Sequence, residues 1–200
     1  MPENLPDVLD GLERLDGPWS LADAPADATF IDFGALRVGA VEGLRFRPEY
    51  DQATRTCGAV SIRSGLVQVQ LQVVAAPRGE DRWTALRPQM AERLRAEGAH
   101  VSVVEGDLGP ELAVLRPHQR PDGTTAAIPM RVQGIGGDRW MLKVTSIGPT
   151  VHDAATRAKV DALVSRCAVE RGSGPAVAGS VLELTPPPGA PRPGAEGGRA

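Results

Sequence analysis

Residues 67–75 read Val-Gln-Val-Gln-Leu-Gln-Val-Val-Ala, and no other stretch of the chain constrains its fold so tightly. Val67, Val69, Leu71, Val73 and Ala75 share one parity, while Gln68, Gln70 and Gln72 share the other. Successive side chains of an extended chain point to opposite faces of its sheet. The stretch is therefore a strand with one buried and one wet face, as antiparallel sheets commonly have. The rest of the chain must supply neighbouring strands and a cover for the apolar side.

Neighbours are legible on both sides. Residues 36–41 form a short apolar strand that Glu42-Gly43 turns back. Leu44, Phe46 and Pro48 then alternate with Arg45, Arg47 and Glu49, and Val60 and Ile62 open a third strand that turns at Ser64-Gly65. After Pro77, a helix over 81–97 carries the stripe Trp83, Leu86, Met90 and Leu94, with Gly98 at its C-terminal cap. Pro88 costs that helix about 3 kcal/mol. Burial of four large side chains at about 1.5–3 kcal/mol each outweighs this, with a kink or a late start at the proline.

The second half repeats the plan. Strands are expected around Val101 and Val103, Leu112 and Val114, and Ile128 to Val132, the last at an edge because of Pro129. After a glycine loop at 134–138, Trp140, Leu142 and Val144 alternate with Met141, Lys143 and Thr145. A final helix spans 153–171, with Asp153 capping its start and Gly172 its end. The order is four strands, a helix, four strands, a helix. Short turns imply an α+β fold with a largely antiparallel sheet of seven to eight strands and both helices on one face. Residues 1–29 are an acidic extension with a short amphipathic helix over 5–15, and residues 30–172 are the domain. The Pro/Gly-rich residues 173–200 are expected to be disordered, with only Val181, Leu182 and Leu184 able to dock.

Several stretches carry a resemblance: Gly17-Pro18-Trp19 with Asp23, residues 31–38 (Ile-Asp-Phe-Gly-Ala-Leu-Arg-Val), residues 71–77, and Arg139-Trp140-Met141-Leu142. They resemble an uncharacterised actinobacterial domain-of-unknown-function family, number 3710, across nearly all of residues 17–172. Twenty Arg against two Lys agree with such a source. The resemblance brings no activity and no catalytic residue. The order of elements also looks Mog1/PsbP-like, which implies a protein-binding role by analogy of fold alone.

Chemistry-bearing motifs are scarce. Gly134-Ile135-Gly136-Gly137-Asp138 precedes a strand, whereas a dinucleotide loop must open a helix. His100, His118 and His152 are scattered, and His152-Asp153 reads as an exposed histidine before a helix cap. Cys57 and Cys167 have no partner spacing and read as free thiols. No metal ligand set or cofactor is expected, and the reading leans away from an enzyme. A net charge of −3 gives no general attraction to nucleic acid, and no apolar run reaches membrane-helix length. With no leader at the N-terminus, the expected location is the cytoplasm.

One constellation rises above this background. If the second, third and fourth strands are neighbours, their wet face gathers Arg45, Arg47, Ser61, Arg63, Gln68, Gln70 and Gln72. Planar donors on a flat sheet suit extended peptides, carboxylates or phosphates. The binding residues expected are Arg45, Arg47, Arg63, Gln68, Gln70 and Gln72. The favoured partner is a protein, and self-association is open. An Arg-lined site for an anionic small molecule or nucleotide is the alternative. Nucleic acid is disfavoured because the face has no aromatic side chain to stack on a base. The acidic N-terminal segment is itself expected to fold over this face.

Overall fold

A computed structural model describes residues 6–79 and 81–190. The alternating segments become β4 (Phe46–Tyr50), β5 (Cys57–Ser64), β6 (Val67–Ala75), β7 (His100–Gly106), β8 (Gly109–Gln119), β9 (Thr125–Gly137) and β10 (Trp140–Ile147). They pair in the order β4-β5-β6-β10-β9-β8-β7 as one antiparallel seven-stranded sheet. A second sheet holds β1 (Trp19–Ser20), β2 (Phe30–Asp32), β3 (Leu36–Gly39) and β11 (Cys167–Val169) in the order β1-β11-β3-β2. Only the β1–β11 pair is parallel. Glu42-Gly43 thus connects two sheets rather than closing a hairpin.

The helices are α1 (Arg82–Ala96) and α2 (Ala154–Ser165). Asp81 caps α1, accepting from the Trp83 and Thr84 N–H groups, and the helix runs unbroken through Pro88. The expectation that both helices cover one face is corrected. Strand β10 settles the point, because its alternate residues enter different cores. Met141 packs with Trp83, Leu86, Met90 and Leu94 of α1, whereas Leu142 and Val144 pack with Val160, Leu163 and Val164 of α2. The two helices therefore lie on opposite faces. α1 lies chiefly over the β7–β8–β9 side of its face and reaches β10 at Met141.

Close approach of α1 needs Gly134, where a Cβ would sit 2.5 Å from the Trp83 ring. The glycines of 134–137 are accordingly strand residues, and the turn is Asp138-Arg139.

Strand β9 is central, between β8 and β10, and not at an edge. Its polar residues are buried under α2. Arg131 Nε donates to Glu111 at 2.7 Å and its Nη2 to Asp161 at 2.8 Å, and Gln133 Nε2 donates to Asp161 at 3.0 Å. Pro129 is tolerated because the β10 ladder begins one residue later, at Met130.

α2 ends at Ser165, and Cys167–Val169 forms β11 instead of a last helical turn. Asp153 precedes α2 but makes no capping hydrogen bond through its side chain. Residues 179–185 form a strap within the segment expected to be disordered, seated through Leu182 and Leu184, two of the residues expected to be able to dock. The Leu182 N–H donates to Val73 O, Leu184 N–H to Cys57 O and Thr185 N–H to Phe33 O, so the strap ties the large sheet to the small one. Leu184 is buried in the core. Residues 191–200 lie outside the described residues.

The N-terminal segment docks on the α2 side. Leu9 is buried, its N–H donates to Ser64 Oγ, and Lys159 of α2 reaches Asp7 and Asp10. Residues 8–11 form turns rather than the expected helix. The segment does not cover the Arg/Gln face, because the cation that attracts it lies on α2. Glu3 falls outside the described residues.

Candidate functional site: the open half of the large sheet

Register fixes which side chains share the uncovered face. Arg47 stands opposite Ser61, Ser61 opposite Gln70, and Arg63 opposite Gln68. The β6–β10 pairing adds Lys143 opposite Gln72 and Thr145 opposite Gln70. Strands β4, β5 and β6 are neighbours, so the structure brings together Arg47, Arg63, Gln68, Gln70 and Gln72. Arg45 immediately precedes β4. The three arginines are exposed and the three glutamines half-buried. Arg45 and Arg63 make no hydrogen bond or ion pair among the described residues.

Glu49 organises the centre of this face. One of its oxygens accepts from Ser61 Oγ and the other from Gln70 Nε2. Gln68 Nε2 donates to the same Ser61 Oγ at 3.2 Å. The glutamine row is thus held in place by a carboxylate between the arginines. The pattern of alternation placed Glu49 beside Arg45 and Arg47, but its role as their organiser depends on cross-strand contacts.

Lys143 was missed for a different reason. It belongs to the wet parity of its own strand, yet a helix and three strands separate β10 from β6 in sequence. The pairing of those two strands cannot be read from chain order. Its Nζ donates to Gln72 Oε1 at 3.1 Å. Burial, and secondarily the nearby Arg93 cation, hold the Lys143 ammonium below the ordinary lysine pKa.

Beyond Leu71, β6 leaves β5 and meets the strap, and a cleft of about 350 Å³ opens at that divergence. Glu49, Asp51, Thr54, Gln72, Leu182 and Glu183 are among its lining residues. Hydrogen bonds from the Thr54 N–H, the Thr54 hydroxyl and the Ala53 N–H hold the Asp51 carboxyl below the usual carboxylate pKa.

A family profile described as a protein of unknown function, DUF3710, matches residues 17–192. The chain belongs to this family. The matched region takes in both sheets, both helices and the strap, so it encloses the whole open face. None of the curated proteins matches the chain.

Other side chains with chemical potential are engaged elsewhere. His152 Nε2 lies 3.4 Å from Val114 O, and the structure records no bond from it to Asp153. Cys57 and Cys167 are free and buried, and burial pushes the Cys167 thiol up to about 12. Among the described residues, no group of three His, Cys, Asp or Glu side chains is placed to hold a metal ion, and no helix is long and apolar enough to cross a membrane.

Proposed function

We propose that the domain is a non-catalytic binding module that takes an extended, acidic protein segment on the open half of its large sheet. One observation carries the reading: α1 covers only part of its face, and the uncovered part is polar and cation-rich. Arg45, Arg47 and Arg63 stand at its margin, Lys143 rises from its floor, and hydrogen bonds to Ser61 and Gln70 hold Glu49, a carboxylate on the same face. Ordered glutamine amides supply donors and acceptors to a peptide backbone at low entropic cost, because their rotamers are already fixed.

The cleft at the edge of the face is a poor site for a phosphate-bearing small molecule or nucleotide. Glu49, Asp51 and Glu183 line it, and carboxylates repel a phosphate. Two unpaired thiols fit action in a reducing compartment such as the cytoplasm, and the arginine-rich composition fits an actinobacterial source.

Quantitative affinity capture compares the native chain with the double variant Arg63→Glu/Gln70→Glu. Arg120→Glu, at the tip of the β8–β9 hairpin, serves as control. A partner retained by the native chain and the control but lost by the double variant supports the reading. Identical capture profiles for all three overturn it.

A further inference from the structure

The chain has two lysines, and the structure treats them oppositely. Lys159 Nζ lies 2.6 Å from Asp7 and 2.8 Å from Asp10. Lys143 is half-buried on the open face, and its hydrogen bond goes to a neutral amide. No carboxylate pairs with it among the described residues, and the charge acting on it is another cation, Arg93.

Arg93 ends a stripe on α1 made by Arg82, Leu86, Gln89 and Arg93, which repeat at helical spacing and share one flank. Both ends of the stripe are tied to the open side of the sheet. Arg93 acts on Lys143, while the Arg82 guanidinium lies against Gly179, whose N–H donates to Ala75 O of β6. Arg82 Nε is buried without a hydrogen-bond partner among the described residues. Arg93 itself is exposed and paired with Glu97 at 3.2 Å, whereas Lys143, at the floor of the seam between α1 and the glutamine row, has no carboxylate among the described residues. A half-buried cation with no counter-charge is unfavourable until an anion joins it.

We propose that Lys143 is the anchor for a side-chain carboxylate of an extended acidic peptide lying along the glutamine row of β6. This rests on the peptide-binding reading above and names the contact that would give it charge selectivity. A carboxylate fits better than a phosphate for two reasons. Glu49 keeps a negative charge on the same face, which opposes a dianion more than a monoanion. A lysine ammonium is also a compact point charge without the fork that matches phosphate geometry.

The test uses the full chain labelled with ¹³C-lysine, which has two side-chain ε-carbon signals to follow. Probes are acetyl-Val-Glu-Val-Glu-Val-amide, its Gln counterpart, and inorganic phosphate. The acidic peptide should raise the Lys143 titration midpoint by about one pH unit, leaving Lys159 unmoved. Lys143→Met should weaken that peptide's binding about tenfold, read from backbone amide shifts in β6, with the remaining amide spectrum reporting an intact fold. Equal binding of the acidic and Gln peptides, or full binding to Lys143→Met, overturns the anchor but leaves peptide binding on this face standing. Absence of amide shifts with either peptide overturns both. A Lys143 response to phosphate with none to the peptides shows a free-anion site and also overturns the proposal.

Discussion

The two faces of the large sheet handle charge in opposite ways. Under α2, Arg131 is 1% exposed, and Glu111 and Asp161 hold it from two different elements. Arg157 extends the network, its Nη2 lying 2.9 Å from Glu111. On the other face, Lys143 rises between Gln72 and α1 with no carboxylate in reach among the described residues. Both cations sit on central strands of one sheet. What differs is whether the covering element brings acids. α2 delivers Asp161 to Arg131, while the flank of α1 along the open half presents Arg82 and Arg93, and the acid at its end, Glu97, pairs with Arg93 and not with Lys143. A cation matched by its cover becomes a structural link, and an unmatched one stays available to a ligand.

Substituting each cation is the most direct way to break this comparison. Arg131→Met should destabilise the domain by about 3–5 kcal/mol in urea unfolding, because it strands buried carboxylates. Lys143→Met should change stability by less than about 1 kcal/mol, since it removes a charge that has no partner. Similar losses for both would end the distinction. Leu184→Ala should cost about 2–4 kcal/mol through the cavity left where the strap crosses the core. An equal cost from Val177→Ala, on an exposed residue before the strap, would show instead a general sensitivity of the C-terminal segment.

A subtler effect concerns the other lysine. Burial opposes ionisation of Asp7, but hydrogen bonds from Lys159, Ser64 and the Leu9 N–H outweigh it and keep the carboxyl below its ordinary pKa. The stability this contributes is present above the unfolded-state value of about 3.9 and is lost as pH falls through the lowered folded value. Lys159 is raised by the hydrogen bonds it donates to Asp10 and Asp7, so its contribution holds below the unfolded lysine value and fades as pH rises through the folded one. Hydrogen exchange at the Leu15 amide, which donates to Ser165 Oγ, should quicken below about pH 4 and at strongly alkaline pH. Exchange unaffected by pH across both windows, after correction for the intrinsic rate, would separate docking of the segment from these ion pairs.

Much of this arrangement is legible in the sequence, and the gaps have physical causes. Alternation located the strands of the large sheet, and the parity of Arg47, Arg63 and the three glutamines placed them on one wet face. Periodicity carries no information about which distant strands pair, so Lys143 could not be joined to Gln72. Two or three residues are too few to show alternation, which hid Trp19–Ser20, Phe30–Asp32 and Cys167–Val169, and with them the small sheet. Arg131 and Gln133 are buried although polar residues on a strand are usually wet, and their burial depends on Asp161 arriving from α2. The Pro/Gly-rich surroundings of the strap point to disorder, but Leu182 and Leu184, legible as able to dock, suffice to seat it.

The strap also bears on biosynthesis. Ala75 donates its N–H to Ser180 O, and Val73 accepts through its carbonyl from Leu182. More than a hundred residues separate these partners, and translation adds about 5–20 residues per second. On the ribosome, that end of β6 must wait several seconds for its partner, offering open backbone groups to other nascent chains. Chaperone dependence during synthesis should therefore fall on this seam, and a circular permutant that makes residues 176–190 first should shorten the wait.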